Sequence, residues 1–326
     1  MTNDAHLPTA ADVEAARTRI APFIVQTPMI RSEWLSEAAK ADVWLKLEIV
    51  QVTGSFKARG AVNAVLRLKE RQRSATTIVT ASAGNHGLAV AWAARELGLE
   101  ARVHIPSTAP DAKRLPIVKL GAEVVPASSY ETAEAQAHDD EARTGAIYVS
   151  PYNDADVIAG AGTVALEMFA ACSNLDIVVV PLGGGGLLAG TGLVARARDT
   201  GERHHLVVGA EAEASPVFST ALAAHDIVPV VVHETIADGL AGNLERGSRS
   251  FGLVRDLADH VVLVTESSIK QAMRGLVVHE RLIAEGAGAT GVGAILQGRL
   301  ELEGRRVGVV LSGRNVDASV LQRVIV

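Results

Sequence analysis

Lys57 stands in Gly54-Ser55-Phe56-Lys57-Ala58-Arg59-Gly60, between an aromatic ring and small residues. A lysine so enclosed is partly desolvated, its pKa falls, and the free amine can form a Schiff base with an aldehyde. Ser82-Ala83-Gly84-Asn85-His86-Gly87 reads as a strand-to-helix turn, whose backbone donors and hydroxyl suit a carboxylate at a helix N-terminus. Gly183-Gly184-Gly185-Gly186 follows the apolar stretch from Ile177. Four glycines expose successive N–H groups and let a phosphate approach the backbone closely.

An amine for an aldehyde and a cradle for a phosphate, together with an anion-binding turn, point to pyridoxal phosphate. In this order and at these separations the segments resemble the fold-type II pyridoxal phosphate enzymes, and within them the threonine/serine dehydratase and serine racemase family. The resemblance runs from about Thr27 to Val316. It includes Val157-Ile158-Ala159-Gly160, Thr235-Ile236-Ala237-Asp238-Gly239, Glu285-Gly286-Ala287-Gly288 and Ser312-Gly313-Arg314-Asn315. It implies a two-lobed α/β fold similar to the tryptophan synthase β chain, each lobe a mostly parallel sheet flanked by helices, with the cofactor in the cleft.

The resemblance also implies roles. Lys57 would be the covalent anchor of the cofactor and the base that moves the substrate α-proton. Phe56 would pack on the cofactor ring, Asn85 would hydrogen-bond its phenolic oxygen, and Ser312 would meet its pyridine nitrogen. Gly183, Gly184, Gly185, Gly186 and Leu187 would hold its phosphate. Ser82, Ala83, Gly84, Asn85 and His86 would surround the substrate carboxylate. Phe56 as an ordinary core residue, His86 as a structural one and Ser312 as a turn serine are the alternative readings of those positions.

Ala83 stands where serine racemases carry a second serine, the base on the opposite face of the substrate. Racemisation needs proton donors on both faces and elimination needs only one, so elimination is expected. A neutral hydroxyl at Ser312 leaves the pyridine nitrogen largely unprotonated, which favours elimination over transamination. The expected function is dehydration of L-threonine or L-serine to a 2-oxo acid and ammonia, with serine racemase as an alternative activity. Three departures leave the substrate open: Ala161 where relatives carry glutamine, Arg314 where they carry glycine, and the segment Gly239-Leu240-Ala241-Gly242-Asn243. Arg314, this segment and Ser150-Pro151-Tyr152-Asn153-Asp154 look similar to dehydratases assigned to hydroxyectoine utilisation. A hydroxyectoine-derived amino acid is therefore an alternative substrate, and Arg314 and Gly239 are the candidate specificity positions, with a solvent-facing Arg314 as the equal alternative.

Glu211 matches an acidic residue that ligates a cation in many relatives, but Val217 replaces the further acid that completes a divalent site in animal serine racemases. The open readings are a monovalent or divalent cation at Glu211 and a purely structural Glu211. The ten histidines show no ligand spacing for catalytic zinc. A rival reading exists, because Gly184-Gly185-Gly186-Leu187-Leu188-Ala189 satisfies the G-x-G-x-x-A fingerprint of an NAD-dependent oxidoreductase. It expects an acidic ribose ligand after the next strand, where Glu211 lies late, and it leaves Lys57 and Asn85 without work.

The composition, 48% hydrophobic and 21% charged over 326 residues, is that of a globular enzyme with two lobes. A net charge of −6 and no basic run argue against nucleic acid and leave a small-molecule amino acid as the expected partner, in a homodimer or homotetramer. The single Cys172 fits a reducing compartment. The polar start Met1-Thr2-Asn3-Asp4 lacks a signal-peptide pattern, and no apolar run reaches membrane length, so a cytoplasmic protein is expected.

Thr9 can cap a helix through Ile20, and Val43–Leu47 suggests a strand leading to Lys57. Strands at Thr77–Thr80, Ala101–Ile105 and Glu123–Val125 alternate with helices at Ala58–Lys69, Gly87–Leu97 and Ala112–Leu120. The pattern resumes with a helix near Gly162–Ala171, strands at Ile177–Val180, Leu206–Gly209 and Val307–Leu311, and a helix from Leu187. Such alternation predicts parallel sheets with right-handed crossovers. The expected division is a large cofactor-binding lobe of residues 1–50 and 151–326 and a small mobile lobe of 51–150.

Overall fold

Thr9 and Asp12 open the first helix reciprocally. The Thr9 hydroxyl accepts the Asp12 N–H at 3.3 Å, and the Asp12 carboxylate accepts the Thr9 N–H at 2.8 Å, so Ala10–Ile20 begins with two satisfied donors. The computed structural model describes residues 7–71, 76–109 and 111–326; the polar start Met1–Asp4 lies outside them.

Ten strands follow in chain order: β1 (Met29–Arg31), β2 (Asp42–Leu47), β3 (Thr77–Ala81), β4 (Glu100–Pro106), β5 (Glu123–Ala127), β6 (Ile147–Tyr148), β7 (Ile177–Leu182), β8 (Leu206–Ala212), β9 (His260–Val264) and β10 (Arg306–Leu311). They form two sheets, ordered β1-β2-β10-β7-β8-β9 and β5-β4-β3-β6. Every pairing is parallel except the short edge pair β1–β2. The central strands are buried on both faces, which is why β7 reads Ile-Val-Val-Val-Pro-Leu without alternation.

Strand order reverses once in each sheet. In the larger sheet β7, β8 and β9 run outward on one side, while β10 returns to the other side of β7. In the smaller one β3, β4 and β5 run outward, and β6 lies on the far side of β3. Such reversals leave a crevice at the carboxyl ends of the strands where ligands bind. The segments after β3 and β6 and those after β7 and β10 all meet in one cleft.

Helices on either side seat these edges. The helix Ala155–Ala171 starts well before the expected Gly162, because Asp154 caps it by accepting the N–H groups of Asp156 and Val157 at 2.7 and 3.1 Å. Its glycines serve packing. A Cβ on Gly162 would stand 2.8 Å from the Gly190 carbonyl oxygen, so the helices Ala155–Ala171 and Gly186–Arg196 approach backbone to backbone. The helix Lys57–Glu70 packs on Ala155–Ala171 as well as on Asn85–Glu96, and so lies between the two sheets. Among the described residues no helix is long and apolar enough to cross a membrane.

Candidate active site

Lys57 is the first residue of its helix, and Phe56 at the N-cap supplies no side-chain bond. The ammonium therefore faces the positive end of the helix dipole in a desolvated setting. Its Nζ donates to the Pro151 carbonyl at 2.8 Å and lies 5.1 Å from the centre of the Phe56 ring. Burial lowers its pKa to about 8, so a usable fraction of the amine is uncharged near neutrality. Arg59, two residues further on and 0% exposed, fixes the start of this helix. Its guanidinium bonds Glu48 at 2.8 Å and Glu167 at 2.7 Å, and Lys46 bonds Glu167 at 2.5 Å.

The turn after β3 supplies the opposite wall. Ser82 Oγ accepts the Gly84 N–H at 3.2 Å, and the helix Asn85–Glu96 begins without a side-chain cap, which leaves N–H groups at its first turn. His86 Nε2 lies 3.0 Å from the Val149 carbonyl; a carbonyl only accepts, so the proton sits on Nε2. Burial, with the nearby Lys57 charge, pushes the His86 pKa down to about 3, and the ring is neutral. Asn85 donates through Nδ2 to Glu285 Oε1 at 2.6 Å.

The larger sheet supplies the floor. β7 runs into Gly183 and Gly184, both lining the cleft, and Gly185 at φ +86° turns the chain into the helix Gly186–Arg196, where Leu187 is buried. A Cβ on Gly184 would stand 2.3 Å from Cγ of Tyr152, so only glycine brings this backbone against that ring. Ser312 ends β10, 4% exposed, and its carbonyl accepts the Phe56 N–H at 3.0 Å. The enclosed volume is about 210 Å³, and Lys57, Phe56, Ser82, Gly84, Asn85, His86, Gly183, Gly184, Gly239 and Ser312 all border it.

Of the expected positions, Gly185, Gly186 and Leu187 continue the turn into the helix Gly186–Arg196 without bordering the cleft, and Ala83, Arg314 and Glu211 do not border it either. Ala83 sits in a small apolar cluster with Ala91 and Val103 and borders a second cavity of about 450 Å³ adjoining the cleft. Arg314 is exposed, is not among the residues bordering the cleft, and sends its Cγ over Gly54. The geometry gives no support to Arg314 as a substrate-selecting residue. Glu211 accepts the Phe218 N–H at 2.6 Å and the Ser219 N–H at 2.9 Å, so the start of the helix Val217–Ala224 occupies both its oxygens. Among the described residues no group of three or more His, Cys, Asp or Glu side chains gathers around a cation position.

Other cleft residues carried no assigned role in the sequence. Glu285 and Asn315 stand within recognised stretches, yet nothing local shows that they converge on Asn85. Lys113 and Asp238 pair across the cleft mouth. Glu134, from the helix Tyr130–Thr144, borders the cleft opposite Tyr152, and burial together with the facing Glu245 carboxyl pushes its pKa up to about 7. The period-2 and glycine-turn signals that found the rest say nothing about such long-range meetings.

A desolvated amine, a glycine turn at an uncapped helix start and a neutral hydroxyl in one cleft fit a cofactor carrying an aldehyde, a phosphate and a pyridine ring. Residues 20–313 match the family described as pyridoxal-phosphate dependent enzyme, and the chain belongs to it. The chain is 37% identical to a catabolic L-threonine dehydratase of Staphylococcus aureus, over 98% of this chain and 93% of that protein. It is 36% identical to an L-threonine ammonia-lyase of Thermotoga maritima, over 97% of this chain and 78% of that protein. Its fold resembles that of maize serine racemase with a TM-score of 0.90 at 32% identity, covering 98% and 97% of the two chains. The enzyme is a lyase whose cofactor is pyridoxal phosphate, which leaves the NAD reading without a role.

Proposed function

We propose that this enzyme is an ammonia-lyase that converts a β-hydroxy amino acid, L-threonine or L-serine, into a 2-oxo acid and ammonia. The observation that carries the reading is the meeting of the Lys57 amine, the Gly183–Gly184 turn and the Ser312 hydroxyl in one cleft. Bound there, pyridoxal phosphate supplies the aldehyde that captures the substrate amine and the conjugated ring that spreads the negative charge left at Cα. Lys57, held over Phe56 by the Pro151 carbonyl, is placed to anchor that aldehyde and then to take the α-proton. Donors at the start of the helix Asn85–Glu96, with Ser82, hold the substrate carboxylate. His86 is neutral and bonded away to Val149, so it shapes this wall without supplying charge.

With Ala83 lacking a hydroxyl, proton removal is confined to the Lys57 face and the β-hydroxyl departs as water. Hydrolysis of the resulting enamine returns that water and releases ammonia, so the net change is deamination. Residues 51–150 act as a small mobile lobe over a large lobe of 1–50 and 151–326. A cytoplasmic homodimer or homotetramer completes the proposal, which light scattering tests for assembly. An absorbance scan followed by 2-oxo acid assays over a panel of β-hydroxy amino acids tests the function. A colourless protein, or one inactive on the panel, would refute it.

One observation favours a second substrate reading. Glu134 and Glu245 face each other beside the cleft, and burial together with the Glu245 carboxyl disfavours the charge on Glu134. A substrate with a second positively charged nitrogen would relieve that repulsion, which suits a hydroxyectoine-derived amino acid better than threonine. On this reading Glu134→Gln lowers kcat/KM for the dicationic substrate and spares L-threonine; equal effects on both would dismiss it.

A further inference from the structure

The side-chain amide of Asn85 is gripped from two sides. Its Nδ2 donates to Glu285 Oε1 at 2.6 Å, and its Oδ1 accepts from Asn315 Nδ2 at 2.6 Å. Asn315 Nδ2 also donates to the Thr53 carbonyl at 2.9 Å, which fixes Asn315 in turn. Gly313 closes a third side, since a Cβ there would lie 2.3 Å from Glu285 Oε1 and 3.1 Å from Asn85 Nδ2. Glu285 is 7% exposed and occupies the N-cap of the helix Gly286–Leu296, yet makes no side-chain bond to that helix. Its carboxyl is directed at Asn85 instead.

These contacts dictate which way the amide faces. Turned over, Asn85 would set its oxygen against the Glu285 carboxylate and its NH2 against the NH2 of Asn315, so two hydrogen bonds would become two repulsions. An amide nitrogen carries two hydrogens. One is given to Glu285, and the second is left for the cleft that Asn85 borders. Asn85 begins a helix of the four-stranded unit, whereas Glu285 and Asn315 flank the helix and strand beside β10. The grip therefore exists only while the two sides meet.

We propose that Glu285 and Asn315 are positioning residues that fix the sense of the Asn85 amide, so that one N–H is presented to the ring oxygen of pyridoxal phosphate. The proposal rests on the cofactor assignment and on the expected role of Asn85 toward that oxygen. A single donor of fixed sense at a developing negative charge is worth far more than one free to rotate.

The test uses the cofactor-loaded protein at pH 8, where Glu285, pushed up to about 7 by burial, is mainly ionised. The readouts are the absorption maximum of the bound cofactor, its dissociation constant and the thermal midpoint. Glu285→Gln keeps an acceptor oxygen for Asn85 and is expected to leave the band in place. Asn315→Asp sets an acceptor against Asn85 Oδ1; it is expected to shift the band, weaken cofactor binding at least about tenfold and lower the midpoint. The double variant lets the amide turn over, with the new glutamine donating to it and the new aspartate accepting from it. The Thr53 carbonyl loses its donor in both the single and the double variant, so recovery is judged against Asn315→Asp. Its midpoint is expected to recover while the band and the dissociation constant do not. Recovery of all three would make the pair a structural tie only and overturn the proposal. Should Asn315→Asp fail to fold, Asn315→Leu removes the donor without adding charge, and an unmoved band there would also overturn it. An unmodified protein with no cofactor band would refute the cofactor assignment itself, a distinct failure.

Discussion

Gly184 is the position where the demand of the cleft on the backbone is most sharply defined. A Cβ added there would meet Tyr152 Cγ at 2.3 Å, Cδ1 at 2.4 Å and Cβ at 2.7 Å. Carbon atoms in contact rest about 3.5 Å apart, so the ring would have to retreat by roughly 1 Å. It has little freedom to do so. The Tyr152 hydroxyl accepts the Glu245 N–H at 3.1 Å, and the preceding Pro151 carbonyl holds Lys57 at 2.8 Å. Overpacking of this kind costs about 1–3 kcal/mol, which for a chain of this size lowers the midpoint by roughly 1–5 °C. Movement of Pro151 also displaces the Lys57 amine. Gly184→Ala is therefore expected to weaken cofactor binding at least about tenfold, roughly 1.4 kcal/mol, beyond its effect on folding. Gly252→Ala is the control: nothing lies within 4 Å of its Cβ inside the helix Arg249–Leu257, and it should stabilise by about 0.4–1 kcal/mol. Differential scanning fluorimetry and an absorbance titration with the cofactor measure both. A Gly184→Ala protein with unchanged midpoint and affinity would show that the turn is slack and that phosphate approach does not require glycine.

Lys57→Ala should lose both the visible cofactor band and 2-oxo acid production. With the Lys57 amine at about 8 in place of the usual 10.5, the rate of cofactor capture by stripped protein should rise to about pH 8 and then level, and a rise continuing toward pH 10 by stopped-flow absorbance would contradict the burial argument. The same depression makes the stripped protein more stable as pH climbs from about 8 to 10.5, because over that window the unfolded chain binds a proton that the folded one does not. Arg59→Met leaves Glu48 buried beside Lys46 with half its partners gone and should cost about 3–5 kcal/mol by urea unfolding; Arg59→Lys should rescue little, since one ammonium cannot fork to two carboxylates. Elimination of L-serine should exceed its racemisation widely, and rapid formation of D-serine would refute the one-face account.

What the sequence revealed was local, and what it hid was distant. Strands β3, β4, β7, β8 and β10 stood out as apolar runs bounded by turn residues, and the helix from Thr9 by its cap, because each signal lies within a few residues. The helix expected near Gly162–Ala171 begins at Ala155 and carries Gly160 and Gly162 within it. They are contact points for neighbouring backbones, a property that only the packed neighbour displays. The three-residue edge strand β1 and the helices between Val217 and Leu296 carry short or irregular patterns that the carboxyl-terminal expectation passed over.

The site divides along the same line. Lys57, Gly183, Gly184 and Ser312 could be read because turn chemistry makes them conspicuous and because each ends or begins an element. Arg314 drew attention as an unusual residue, yet beyond the bridge of Ser55 to Gly313 the chain turns tightly, with the Val316 N–H on the Arg314 carbonyl at 2.8 Å. That turn brings Asn315 Nδ2 to 2.6 Å from Asn85 Oδ1, while Arg314 does not border the cleft. The chemistry of that stretch belongs to Asn315, the neighbour of the residue that looked exceptional. Glu285 is 200 residues from Asn85 along the chain, so its role follows from the two switch points being brought together rather than from any motif.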